Sequence, residues 1–452
     1  MASFERSLWA RAVSLAAALA ASAPAAATPS IVVDVASGQV LEQEQPTSVW
    51  YPASLTKLMT MYVALSAVRQ GRLTLDTPLV ISARAARMSP SKMGFRPGSE
   101  VTLQNAMVML MVKSANDIAV AIAEGVSGSV EAFANEMNQA AQSLGMNESH
   151  WVNPNGLPDD RQVTSARDLA LLARALLTQF PESASYYNIG AMQLGNRITR
   201  THNGMLGRYP GADGMKTGFT CPAGFNLVAS ATRGGTKLVA VVLGAPSPNA
   251  RTAKAAALLD RAFASGSAQG HVASLQGFGL GAPPNMRDAV CRGRSHATEE
   301  FLAEIGDVTI PLDAWGAQQI SVKDLPHLTP AEFEPVRVFQ GRVPGWQGPV
   351  ARARPPGTPV GTDAALSAYA TDKPAAASTN EAAPILQPAP DAKSMRAPHH
   401  PRVARRHAPV AKAAPPAKPA PSKHAAKPAP KNVKHKSPAP SARLAAPANA
   451  PG

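Results

Sequence analysis

The chain of 452 residues carries 44 Lys and Arg against 30 Asp and Glu, which gives a formal net charge of +14 at pH 7. With only two cysteines it is not a disulfide-dense scaffold, and its fold must depend on a hydrophobic core. No segment reaches the roughly 20 apolar residues of a membrane-spanning helix, so no transmembrane anchor is expected. The histidines lack the spacing of a metal site, and we expect neither a metal nor a cofactor.

Residues 1–27 are predicted to form a signal peptide. Arg6 and Arg11 precede a core rich in Ala and Leu, and the segment ends in the small residues Ala25-Ala26-Ala27. This pattern predicts an exported protein of the periplasm or cell envelope.

Residues 28–265 are predicted to form an α/β (α+β) domain, because runs typical of strands alternate with runs typical of helices. Residues 31–35 predict a strand, and the almost wholly apolar run 55–68 predicts a buried helix. Residues 224–231 and 238–244 flank a Gly-Gly turn and predict a hairpin. We expect an antiparallel sheet beside a helical cluster, with a cleft where the two meet.

Three short motifs follow one another along this domain. They are Ser54-Leu55-Thr56-Lys57, Ser114-Ala115-Asn116 and Lys216-Thr217-Gly218. The first two patterns recur elsewhere, for example as Ser89 to Lys92, so the specificity of the signal lies in the order of the three motifs and in their local context. Ser54 and Lys57 lie one helical turn apart and should share a face, whereas Pro90 places the second copy in a loop.

The motifs contain the groups that an acyl-transferring serine enzyme needs. In an apolar helix the charged form of Lys57 is disfavoured, so a neutral amine can take the proton of Ser54. Lys216 can hold a fixed charge on a strand, and Gly218 permits close approach of a substrate backbone. Ser114 lies between two apolar helical runs and predicts an inter-helix turn. The alternatives are a helix cap at Ser114 and an ordinary surface lysine at Lys216.

On these motifs the chain resembles the D-alanyl-D-alanine carboxypeptidases among the low-molecular-mass penicillin-binding proteins. The resemblance runs from about residue 30 to residue 263 and implies a β-lactamase/transpeptidase-like fold. Further matching segments are Leu144-Gly145-Met146, Asn153-Pro154-Asn155-Gly156-Leu157, Ser165-Ala166-Arg167-Asp168-Leu169-Ala170 and Asn226-Leu227-Val228-Ala229-Ser230-Ala231.

The resemblance implies two groups of site residues. The catalytic residues that it implies are Ser54, Lys57 and Ser114. The substrate-binding residues that it implies are Asn116, Lys216, Thr217, Gly218, Phe219 and Arg251. Ser54 would attack the carbonyl between two terminal D-alanines of a peptidoglycan stem peptide, and β-lactams would acylate the same hydroxyl.

The family pattern also implies a role for each remaining group. Ser114 and Asn116 would relay a proton and hold the substrate amide. Lys216 and Thr217 would bind the substrate carboxylate together with Arg251, the latter on a helix predicted over 249–263. The backbone N–H groups of Ser54 and Phe219 would form the oxyanion hole.

Other functions stay open at this stage. A β-lactamase is less favoured, because no Glu-x-x-Leu-Asn segment is present and the second motif reads Ser-Ala-Asn. A peptidoglycan D,D-endopeptidase of the same family is a further alternative. The alternative from a different functional class is a non-catalytic envelope-binding protein, with a vestigial cleft and with binding by the tail.

The C-terminal part of the chain is less informative. Residues 266–348 allow strands at 308–312 and 321–323 but predict no fold, and they do not match the β-rich domain that family members often carry there. Residues 349–452 are rich in Ala, Pro, Lys and Arg and are predicted to be disordered. They would act as a spacer or as a tether to anionic envelope polymers, and no nucleic acid is expected as a partner.

The two cysteines allow two interpretations. Cys221 and Cys291 can form a disulfide in an oxidising compartment. Alternatively, Cys221 is a free thiol at the rim of the cleft.

Overall fold

The computed structural model describes residues 28–277, 281–312 and 318–355. The predicted signal peptide and residues 356–452 of the predicted tail lie outside the described residues.

The strands, in chain order, are β1 (Ser30–Asp34), β2 (Val40–Glu44), β3 (Pro78–Val80), β4 (Glu100–Thr102), β5 (Ala191–Leu194), β6 (Arg197–Arg200), β7 (Ala212–Thr220), β8 (Gly224–Arg233), β9 (Thr236–Ala245), β10 (Thr309–Pro311), β11 (Gln319–Ser321) and β12 (Val336–Val338). The helices are α1 (Thr56–Arg69), α2 (Ala83–Ala86), α3 (Leu103–Val112), α4 (Asn116–Ser127), α5 (Val130–Ser143), α6 (Ala166–Gln179), α7 (Ala184–Tyr187), α8 (Pro248–Ser265) and α9 (Arg294–Ile305).

A five-stranded antiparallel sheet in the order β2-β1-β9-β8-β7 forms the centre of the protein. Its side chains alternate between two cores, because successive residues of a strand point to opposite faces. On β9, Val239 and Val241 belong to one buried cluster, whereas Leu238 and Ala240 belong to the other. Both faces of the sheet are therefore covered, and β7 forms one edge.

Helices cover the two faces. Helix α8 packs on β8 and β9 from one side, with α9 against it, and α6 packs on β1 and β9 from the other side. Beyond α6, helix α1 contacts α4, α5 and α6 and forms the centre of the helical cluster. The predicted α/β architecture, with an antiparallel sheet beside a helical cluster, is confirmed.

Several predicted elements are confirmed in their positions. The run 55–68 is helix α1, and the two runs beside the Gly-Gly turn are β8 and β9. The side chain of Ser165 caps α6 by accepting a hydrogen bond from Asp168 N at 3.1 Å. The helix predicted over 249–263 is α8, which is slightly longer at both ends.

The described residues after 280 pack against this domain. Helix α9 lies on α8, and β12 pairs in parallel with β5. The strand predicted at 308–312 is β10, whereas β11 begins two residues before the predicted 321–323. Ala351 N donates to Pro78 O at 2.8 Å, so residues 349–355, which composition places in the tail, contact the domain.

Cys221 and Cys291 form a disulfide, with Cα atoms 5.9 Å apart. The alternative of a free thiol at Cys221 is therefore wrong. The disulfide joins the turn between β7 and β8 to the helical turn Asp288–Arg292. Among the described residues, no helix has the length and apolar composition needed to cross a membrane.

Candidate active site

The three sequence motifs meet in one cleft of about 460 Å³ between the β7 edge of the sheet and the helical cluster. Seven of the nine predicted site residues line this cleft, namely Ser54, Ser114, Asn116, Thr217, Gly218, Phe219 and Arg251. The two predicted lysines, Lys57 and Lys216, are buried behind the surface of the cleft, with 0% and 2% exposure.

Ser54 lies in a 3-10 turn, Ala53–Leu55, that leads directly into α1. Lys57 is on the first turn of α1, and its Nζ lies 3.0 Å from Ser54 Oγ. The same nitrogen donates to Asn116 Oδ1 at 2.8 Å and to the Asn155 carbonyl oxygen at 2.5 Å. The predicted shared face of Ser54 and Lys57 is thus observed.

The surroundings of Lys57 favour a neutral amine. Burial lowers the pKa of Lys57 well below its ordinary value, the charge of Lys216 lowers it further, and Asp117 opposes both. A neutral amine has two N–H donors and one lone pair. The carbonyl oxygens of Asn116 and Asn155 take the two donors, which leaves the lone pair for the hydroxyl of Ser54.

The orientation of Asn116 is fixed by its other side-chain atom, since Nδ2 donates to the carbonyl oxygen of Ser89 at 2.9 Å. The backbone N–H of Asn116 donates to Ser91 O at 2.7 Å. The next residue, Asp117, accepts the backbone N–H of Gly94 at 2.8 Å. Residues 89–92 form a loop, as predicted, and Pro90 lines the cleft.

Ser114 lies in the turn between α3 and α4, as predicted. It has a φ of 58°, in the left-handed region that side chains rarely adopt. The cap of α4 is Ala115, without a side-chain hydrogen bond, so the alternative of a capping role for Ser114 is wrong. Ser114 Oγ is buried and has no hydrogen-bond partner among the described residues. The hydroxyl is therefore available to a bound molecule.

Two buried cations lie at one end of the cleft. Lys216 Nζ donates to Thr217 O at 2.8 Å, and burial, with the charge of Arg251, lowers the pKa of Lys216 to about 7. Arg251 is 4% exposed and donates to Asn226 O and to His202 O, each at 3.3 Å. Its Nε has no partner among the described residues. Desolvated cations with unused donors form a site for a small anion such as a carboxylate.

Two glycines allow close packing around Ser54. A β-carbon at Gly218 would lie 2.9 Å from Pro52 O and 3.2 Å from Ser54 N, so β7 runs directly beside the turn that carries Ser54. At Gly156, which has a φ of 80°, an added β-carbon would overlap the carbonyl oxygen of Ala53. Neither position accommodates a side chain unless the Ser54 turn moves.

Three site residues were not predicted. Asn155 and Gly156 belong to the Asn-Pro-Asn-Gly segment that carried part of the resemblance, but no spacing placed them beside Lys57. His202 lines the cleft, and burial together with the neighbouring cations lowers its pKa. It lies in a loop without a recognisable motif, so no sequence signal identified it. Among the described residues, no group of three His, Cys, Asp or Glu could hold a metal ion.

Comparison with known proteins identifies the family. A family model described as D-alanyl-D-alanine carboxypeptidase matches residues 16–247, which is half of the chain. The chain belongs to this family. It is 34% identical over 238 residues to D-alanyl-D-alanine carboxypeptidase DacF of Bacillus subtilis, covering 52% of this chain and 61% of the relative. It is 36% identical over 240 residues to DacA of Haemophilus influenzae, covering 52% and 61%. The match thus spans about three fifths of the length of these relatives.

Solved structures of the same class share the fold. One is the D-alanyl-D-alanine carboxypeptidase DacD from Francisella tularensis, with a TM-score of 0.52 and 31% identity over 53% of this chain and 71% of that one. Another is penicillin binding protein 5 from Haemophilus influenzae, with a TM-score of 0.51 and 35% identity over 52% of this chain and 70% of that one. The fold implied by the sequence resemblance is confirmed.

Proposed function

We propose that this protein is a serine-type D-alanyl-D-alanine carboxypeptidase that releases the terminal D-alanine of peptidoglycan stem peptides through an acyl-enzyme on Ser54. The proposal rests mainly on the contacts of Lys57, whose amine has two fixed acceptors and Ser54 Oγ at 3.0 Å. That arrangement suits an amine that accepts a proton from a nucleophilic hydroxyl. The names and family of the relatives support the same activity.

In the first step, Ser54 Oγ attacks the carbonyl carbon of the penultimate D-alanine while its proton moves to Lys57 Nζ. The carbonyl oxygen gains negative charge, which the backbone N–H groups of Ser54 and Phe219 stabilise. The packing of Gly218 against Ser54 N supports this assignment, since it brings β7 alongside the nucleophile. Each such donor typically contributes about 3 kcal/mol to the transition state.

In the second step, the leaving amine of the terminal D-alanine needs a proton. The unpartnered hydroxyl of Ser114 donates it, and Lys57 supplies the proton that Ser114 gives up. Asn116 holds the substrate amide. A water molecule then attacks the ester on Ser54 while Lys57 takes a proton from it, and Lys57 returns that proton to Ser54 Oγ as the ester bond breaks and the shortened peptide leaves.

The free carboxylate of the substrate binds at the cationic end of the cleft. Lys216, Thr217 and Arg251 provide two charges and a hydroxyl there, and a guanidinium can bind a carboxylate with two parallel hydrogen bonds. Two desolvated cations close together are unfavourable without a counter-charge, which supports substrates that end in an anion. The predicted signal peptide supports action outside the cytoplasm, in the periplasm or cell envelope.

The test is release of D-alanine from a synthetic peptide that ends in D-alanyl-D-alanine. The wild type should release D-alanine and Ser54→Ala should not. Ser89→Ala is the matched control, because Ser89 begins the second Ser-x-x-Lys sequence and is exposed. Equal release by wild type and Ser54→Ala would refute the proposal.

A further inference from the structure

The last described residues of the chain pack along the helical cluster. Residues 336–355, which we call the strap, begin as β12 and end at Pro355. They lie outside residues 16–247, the part of the chain that the family model matches. The proposed mechanism assigns the strap no role, although its backbone is hydrogen-bonded to the catalytic domain at several places from Phe339 to Arg354.

The first part of the strap contacts the start of α3. Strand β12 packs against this helix, and Phe339 N donates to Asn105 Oδ1 at 3.3 Å. Asn105 is buried on the first turn of α3, where its Nδ2 donates at 2.7 Å to Oγ1 of Thr102, the capping residue of the helix. Asn105 is therefore fixed between the strap and the cap of α3.

The next residues of the strap contact β4, the strand that leads directly into α3. Gly341 N donates to Glu100 O at 2.7 Å. The guanidinium of Arg342 binds the carboxylate of Glu100 with two hydrogen bonds, of which the one from Nη2 to Oε1 is 2.8 Å long. Paired hydrogen bonds of this kind fix the geometry as well as the distance. The strap thus holds both the start of α3 and the strand that precedes it.

The end of the strap contacts the end of α4. Arg354 N donates at 2.8 Å to the carbonyl oxygen of Gly128, which caps the C-terminus of α4. The last carbonyl groups of a helix have no partner within the helix, so this bond satisfies one of them. A β-carbon at Gly128 would lie 2.6 Å from Cγ and Cδ of Arg354, so the arginine side chain covers the end of the helix.

The two helices that the strap contacts are the ones that flank Ser114. The turn that carries Ser114 joins the end of α3 to the start of α4 at the cleft, whereas the strap contacts the opposite end of each helix. Helices of 10 and 12 residues are about 15–18 Å long. Ser114 has a φ of 58°, and such a conformation persists only where the surrounding structure enforces it. Rigid helices can transmit a displacement from one end to the other.

We propose that the strap is a positioning element for Ser114, which holds α3 and α4 so that the Ser114 hydroxyl reaches the leaving amine. The inference rests on the proposed function, in which Ser114 donates that proton. Within the strap, Arg342 and Ala351 are positioning residues. Neither lines the cleft, so both act through the helices rather than on the substrate.

The test compares two substrates that differ in one atom of the leaving group. The first is an N-acylated peptide that ends in D-alanyl-D-alanine. In the second, the terminal D-alanine is replaced by D-thiolactate, which keeps the methyl group and the carboxylate but is joined as a thioester. A thiol has a pKa of about 8.5, so a thiolate can leave without a proton, whereas the amine requires one. Misplacement of Ser114 should therefore lower kcat/KM more for the amide than for the thioester.

Two variants of the full chain weaken the strap. Arg342→Glu places a second carboxylate beside Glu100, and Ala351→Pro removes the N–H that donates to Pro78 O. Each should lower the ratio of amide to thioester kcat/KM about tenfold, which is part of the roughly 100-fold loss that a 1 Å displacement can cause. Arg84→Glu is the matched control, because it reverses an exposed ion pair between α2 and α5, and it should keep the wild-type ratio.

The charge swap that combines Arg342→Glu with Glu100→Arg should restore the ion pair and return the ratio to that of the wild type. Thermal unfolding of each variant gives the temperature below which all are assayed in the folded state. An unchanged ratio in Arg342→Glu, or equal losses on both substrates, would refute the positioning role while the proposed function stands. If the wild type releases no D-alanine from the amide, the proposed function fails and the inference fails with it.

Discussion

Replacing Arg251 by Ala tests the assignment of the carboxylate-binding end of the cleft. Among the described residues, Arg251 donates two long hydrogen bonds, at 3.3 Å each, and its Nε has no partner, so a donor is left for a substrate. One hydrogen bond between charged groups contributes about 1.5–3 kcal/mol. Since each 1.36 kcal/mol is a factor of ten, kcat/KM should fall by roughly 10- to 150-fold for a peptide that ends in a free carboxylate.

The substitution also leaves the carbonyl oxygens of Asn226 and His202 without this donor, which weakens the site for any substrate. A peptide amidated at its C-terminus separates the two effects, because it lacks the charge that Arg251 would bind. We expect Arg251→Ala to reduce turnover of the amide much less than that of the acid. Arg261→Ala, on the same helix but paired with Glu42 at 3.3 Å, is the control and should change neither. Equal losses on acid and amide would refute the carboxylate role.

Four further predictions concern other parts of the protein. Lys57→Arg should lower the rate of acylation by penicillin about 10²- to 10⁴-fold, because a guanidinium does not give up its proton, and a near-normal rate would place the base elsewhere. Gly156→Ala should reduce D-alanine release about 100-fold, because the added β-carbon displaces the turn that carries Ser54. Gly145→Ala is the control and should not reduce it, since Gly145 has a similar φ but open space around it. Similar losses of activity in the two variants would assign the effect to backbone strain alone. With the pKa of Lys216 near 7, its charge is present below that pH and lost above it, so kcat/KM for a carboxylate substrate should fall as the pH rises past about 7. Lys216→Arg should abolish that decline, and an unchanged pH profile would assign it to another group. A chain ending at Pro355 should keep its activity on a small peptide but should lose the salt-sensitive binding to isolated cell envelopes that we expect of the full chain. If the shortened chain binds envelopes in low salt as well as the full chain does, the tether is refuted and the tail is a spacer.

The local parts of the fold and site were predictable from the sequence. An uninterrupted apolar run specified α1, and the i, i+3 spacing placed Lys57 beside Ser54. Small polar residues between two apolar runs specified the turn at Ser114. A Gly-Gly pair between two β-rich runs specified the β8–β9 hairpin.

Contacts between distant segments were not predictable in the same way. Asn155 lies 98 positions from Lys57 in sequence, and only the packing of its loop against the turn that carries Ser54 brings its carbonyl oxygen to the amine. The pairing of β12 with β5 involves a three-residue strand in a segment interrupted by Gly and Pro, so its periodicity carries little information. Two cysteines allowed a disulfide, but the choice between disulfide and thiol depended on the distance between Cys221 and Cys291.

The most direct test of the central claim is the mass of the intact protein after reaction with benzylpenicillin, followed by peptide mapping. We expect the wild type and Ser89→Ala to gain the mass of one penicilloyl group, carried by the peptide that contains Ser54. Ser54→Ala should gain none. A penicilloyl group on any other residue, or undiminished labelling of Ser54→Ala, would contradict Ser54 as the nucleophile.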